Sequence, residues 1–200
     1  MQDQKEPMRL GELLILASLW MLFGFMIWYY TSAWHTVPVR VITGQLLHGI
    51  LGDSFQNIIA NPERAYLFQI QTRILFTFPD GTQEMLGFIV NPLVYGYGMP
   101  LLFGLMMATA QPLLRKLTVL LVGYVVISLV QVWGTFWESL KTLAFNFGPD
   151  VAAAVADTGM PESAIALCYQ LGVLIFPALA PVIVWVLGNW REVEYFMQQA

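Results

Sequence analysis

Tyr66 to Pro100 reads YLFQIQTRILFTFPDGTQEMLGFIVNPLVYGYGMP, and its periodicity decides the fold. The even positions from 66 on are Tyr66, Phe68, Ile70, Thr72, Ile74, Phe76 and Phe78, whereas the odd ones include Gln69, Gln71, Arg73 and Thr77. A period of two gives an extended strand with one apolar face. Pro79-Asp80-Gly81 supplies turn chemistry and Gln83 to Val90 pairs back, so the stretch predicts a β-hairpin. Asn91-Pro92 stops the second strand, and an apolar segment opens at once with Tyr95-Gly96-Tyr97-Gly98. The hairpin therefore feeds directly into a membrane helix.

What surrounds the hairpin is membrane. Of 200 residues, 58% are hydrophobic and only 11% charged, with a mean hydropathy of +0.64, far from the soluble norm of about 25% charged. The net charge of -4 and nine scattered Lys and Arg leave no basic surface, which excludes nucleic acid as a partner. The single cysteine, Cys168, excludes an internal disulfide and a Cys-rich metal site.

In chain order, 1–12 is a short polar N-terminus with Lys5 and Arg9, and 13–30 is apolar apart from Ser18, the first span. Its length and the absence of an A-x-A site favour an uncleaved anchor over a cleaved signal peptide. Between Thr36 and Asn61, Leu46, Leu47, Ile50, Leu51, Phe55, Ile58 and Ile59 recur at helical spacing among polar residues, predicting an amphipathic helix too polar to span. Further spans are expected at 93–114, 117–137 and 164–190, the last bent at Pro177 and Pro181. Lys5, Arg9, Arg115, Lys116 and Arg191 lie beside span ends on one side, so the positive-inside rule places both termini in the cytoplasm. Segments 31–92 and 138–163 are then extracytoplasmic, and the tail 191–200 is cytoplasmic. The predicted fold class is a four-span α-helical membrane protein carrying a small α+β cap, one amphipathic helix plus the hairpin. A cap of about 60 residues buries too little surface to stand alone, so cover from the outer loop, the membrane or a partner is expected.

No residues assemble into a reaction centre. His35 and His48 lack any paired metal motif and read as an interfacial and a solvent-facing histidine. Cys168 lies in ALCYQLGVLIF without a histidine in its span and reads as packing. Glu12 and Glu138 sit near span ends, where water is within reach, so no central charge marks an ion or proton path. Arg73 is the cation on the hairpin's polar face, with Glu84 a candidate partner across the strands. Around Tyr95 and Tyr97, two Gly and two Pro weaken a helix and call for close packing, and Gly104 with Ala108 forms a small-xxx-small face. The expected partner-binding set is thus Arg73, Asn91, Tyr95, Gly96, Tyr97, Gly98, Pro100, Gly104 and Ala108, with no catalytic, cofactor-binding or metal residue. A non-catalytic accessory subunit follows, in contact with lipids and another integral membrane protein. The alternative is a binder or transporter of a small molecule or lipid, for which Thr109, Gln111, Ser128, Gln131 and Gln170 are the uncharged polar candidates.

The hairpin running into NPLVYGYGMPLLFGLMMATA, behind one span and ahead of two more, resembles the small membrane proteins encoded beside exosortase H in proteobacteria. The likeness rests on Asn91, Pro92, Tyr95, Gly96, Tyr97, Gly98 and Pro100. It implies residence in the bacterial inner membrane, beside a transpeptidase-like enzyme that processes C-terminal sorting signals at the outer face. The sorting enzymes themselves carry a Cys, an Arg and a His near the outer leaflet, companions that Cys168 lacks.

Overall fold

The computed structural model describes residues 10–78 and 81–199. Lys5, Arg9 and two residues of the expected turn, Pro79 and Asp80, lie outside them. The molecule is mostly helical, with three helical stretches long and apolar enough to cross a membrane, Gly11–Tyr30, Leu113–Phe145 and Glu162–Gly188, and one small sheet. In order, the elements are α1 (Leu10–Tyr30), α2 (Ser32–His35), α3 (Val37–Leu51), β1 (Phe55–Ala60), β2 (Phe68–Thr77) and β3 (Gln83–Val90). There follow α4 (Gly98–Ala108), α5 (Leu113–Phe145), α6 (Pro149–Ala156), α7 (Glu162–Gln170), α8 (Phe176–Gly188) and α9 (Trp190–Gln199).

The spine is α5. At about 1.5 Å per residue its 33 residues reach roughly 50 Å, some 20 Å more than a bilayer's hydrocarbon core. Toward its start, Val119 and Ile127 pack with Leu102, Met106 and Val184. Toward its end, Val132, Phe136, Leu140 and Leu143 join the core of the sheet unit. One continuous helix therefore belongs to both the bundle and the cap.

The sheet is antiparallel in the order β1-β2-β3. The expected hairpin is its β2-β3 half, and the period of two holds: Phe68, Ile70 and Thr72 are buried while Arg73, Leu75 and Thr77 are exposed. The expected helix from Thr36 to Asn61 is corrected. It stops at Leu51, because Gly52 takes a positive φ of 53°, a conformation that ends helices, and Phe55–Ala60 becomes a third strand. Phe55 and Ile58 are buried against the sheet core around a bulge; their three-residue spacing fits a helix equally well, which is why periodicity misassigned them. Cover for the cap comes from within the chain, as Phe147, Val151, Val155 and Ile165 of the 138–163 region and α7 close over the strands.

Where a span is expected at 93–114, the helix is shorter than that range. A 3-10 turn over Pro92–Tyr95 leads into α4, whose 11 residues cover only about 16 Å, and Thr109–Pro112 is not helical. None of the α4 residues is exposed. It is the bundle's central rod, antiparallel to α1, with α5 and α8 on its other sides, and a helix apolar all round belongs in such a place. The last long stretch is interrupted, as the prolines require: α7 widens into a π turn at Leu171–Ile175 just before Pro177, which has no N–H to continue the ladder.

Candidate functional site

The junction between β3 and α4 is built from side chains that hold the chain to itself. Asn91 caps the 3-10 turn, its side-chain oxygen accepting from Leu93 N at 3.1 Å. Tyr95 is 1% exposed, and its hydroxyl donates to Glu138 Oε2 at 2.8 Å. Its ring lies over Gly134 of α5, where a side chain would collide with it. Gln131 is buried beside Gly96 and donates from Nε2 to Pro92 O at 3.1 Å. A Cβ on Gly98 would stand 2.7 Å from Pro177 O, and one on Gly104 would stand 2.5 Å from Ala17 O. Ala108 is buried with Leu13 and Ala17, and Pro100 is buried as well. The small-xxx-small face thus receives α1 of the same chain. Of the expected partner-binding set, only Tyr97 and Arg73 are exposed.

Arg73 does not meet Glu84. A bulge between Gln71 and Leu75 shifts the register, so Glu84 stands opposite Phe76, and Arg73 Nη1 donates to Asp53 O at 3.3 Å. Thr72 anchors the bulge, its hydroxyl donating to Leu86 O at 2.8 Å. The same register gathers a feature that the strand pattern contains but that was not singled out. Leu75 faces Met85 and Gln69 faces Ile89, so Leu75, Met85 and Ile89 share the sheet's outer face at 62%, 60% and 56% exposed. The odd-numbered apolar residues of β2 and β3 were the signal.

Near Glu138, Lys141 Nζ lies 5.1 Å from the centre of the Tyr169 ring, a cation–π contact. Cys168 is partly exposed, and its carbonyl accepts from Trp133 Nε1 at 3.0 Å. Among the described residues no group of three His, Cys, Asp or Glu is placed to hold a metal ion. The basic pair after α4 has a structural use: Arg115 donates from Nη2 to Gly188 O at 2.8 Å and Lys116 to Met107 O at 3.0 Å, cations on the carbonyl ends of α8 and α4.

A cavity of about 200 Å³ lies between α1, α2, the start of α4 and α5, lined by Ile27, Trp28, Met99, Phe103, Ile127 and Ser128 among others. His35 is one of its walls. It stacks on Trp28 at 6.0 Å, with Nε2 3.0 Å from Trp28 O, and accepts through its carbonyl from the Tyr124 hydroxyl at 3.0 Å. Burial lowers its pKa below the ordinary 6.5, against hydrogen bonds that raise it.

Bundle, capping sheet and shared spine define a multi-span helical membrane protein with a small three-stranded unit at one end. More narrowly, a family model described as exosortase H-associated membrane protein matches residues 7–192, and the chain belongs to that family. No curated protein and no solved structure matches it.

Proposed function

We propose that this protein is a non-catalytic accessory subunit of the bacterial inner membrane that holds an exosortase-type sorting enzyme, or that enzyme's substrate, against its sheet. The carrying observation is the apolar outer face of Leu75, Met85 and Ile89, on strands whose other face is already packed. Large apolar groups gathered on a small sheet are the usual mark of an interaction surface. β3 adds a second reason, since among the described residues it pairs only with β2 and offers a free edge to an extended segment. The family name supports the identity of the partner, and four membrane-crossing segments with both termini in the cytoplasm would set the sheet on the outer side. In that arrangement α4 with its 3-10 lead-in acts as the short second crossing.

Purification of the tagged protein from its native membranes in mild detergent tests the reading. An exosortase-type enzyme should accompany the wild type and be lost from Met85→Glu and Ile89→Glu, both outward-facing changes that leave the core untouched. A clean monomer with no membrane protein attached would overturn it.

A further inference from the structure

We propose that the cavity between α1, α4 and α5 holds the ester end of one acyl chain of a bilayer phospholipid, with the Ser128 hydroxyl meeting its ester carbonyl. The site is remote from the outer sheet face and does not rest on the accessory reading.

Three observations carry it. The first is an inventory of polar groups. Thr31 donates to Ile27 O at 2.8 Å, Tyr124 to His35 O, and Gln131 to Pro92 O, while His35 Nε2 is engaged by Trp28 O. Ser128 Oγ is buried with no partner. Elsewhere in this chain Ser18, Thr118 and Ser139 each satisfy themselves on the carbonyl four residues back, at 2.6–2.9 Å. Ser128 lines the cavity and has not done so, and at membrane depth no bulk water stands in.

The second is the wall. Ile27, Met99, Phe103 and Ile127 are hydrocarbon or nearly so, and Gly24 contributes no side chain. Room of about 200 Å³ suits the first several carbons of one chain, the remainder running out along α1: an apolar cavity of roughly 150 Å³ takes a single benzene. The third is the route. Ile27 is part of the cavity lining and, with Phe23 and Met26, is about half exposed on a helix apolar enough to face lipid. A chain enters from the bilayer without crossing any polar surface.

The full chain is reconstituted in lipid nanodiscs doped with a phospholipid carrying a diazirine near the ester end of one acyl chain, irradiated and mapped by peptide mass spectrometry. Adducts should concentrate on peptides holding Gly24–His35 and Tyr124–Gln131, well above those on Leu174 and Leu179, which face outward on the last long helical stretch. Ser128→Phe, which fills the space, should abolish that excess. Ser128→Ala, which keeps the space and removes one hydrogen bond, should lower it roughly three- to tenfold. Equal labelling of all outward-facing helices overturns the proposal, as does an excess that survives Ser128→Phe in protein of unchanged melting temperature. If Ser128→Phe does not fold, the wild-type distribution and Ser128→Ala decide alone. A ring compound such as a quinone recovered from the cavity in place of phospholipid also overturns it.

Discussion

Tyr95 carries the junction on one hydroxyl and one ring face. Buried and bonded to Glu138 at 2.8 Å, it fixes the exit from the sheet to α5. Tyr95→Phe leaves the Glu138 carboxyl without its donor and should lower unfolding free energy by about 1–3 kcal/mol, measured by chemical denaturation in detergent. Glu138→Gln in the same background should add little, because the coupled contact is already gone. His35 gives a pH signature. Burial holds its pKa below 6.5 in the folded chain, so the unfolded chain binds the proton first as pH falls. Its contribution is intact above the unfolded pKa and is lost as pH drops toward the depressed native value. Melting temperature should therefore fall on acidification below about 6.5, and His35→Gln should flatten that part of the profile.

At the scale of elements, α4 depends on missing side chains. Gly104 lets Ala17 and Met21 of α1 approach to contact, and Gly98 does the same for Pro177 and Pro181. Gly104→Val should cost about 1–3 kcal/mol through forced separation of α1 from α4, or abolish folded yield in detergent. Gly49 of α3 is exposed with nothing within 4 Å of an added Cβ. Gly49→Ala should instead raise stability by about 0.5–1 kcal/mol. These elements were unequally legible. The β2 alternation and the Gly-Tyr-Gly junction were readable, since each is a local pattern. The end of α3 was not, because Phe55 and Ile58 satisfy two periods and only the bend at Gly52 separates them. Nor could composition show that the helix in 93–114 shortens to Gly98–Ala108 and is enclosed by its neighbours, since an enclosed helix and a lipid-facing one are equally apolar. Arg73 was misplaced by a bulge that gives β2 two more residues than β3, an even number that leaves the alternation unchanged.

For the whole molecule, the two ends of the bundle are chemically distinct. At one, Arg115 and Lys116 sit on helix carbonyls; at the other, the sheet and α6 gather on the end of α5. Single cysteines at Glu84 and Ala110, both exposed, in a Cys168→Ser background should label from opposite faces of sealed cells, Glu84→Cys first. Labelling of both from one face would overturn the proposal that α4 is a crossing.

The uninterrupted course of α5 from bundle to cap leaves no hinge between them. A partner docked on the strands, as proposed, would be held at a fixed height and bearing above the lipid, like cargo on a mast stepped through the deck. Tilting that load must tilt the helix itself and be felt at its far foot, where two cations grip the neighbouring chain ends.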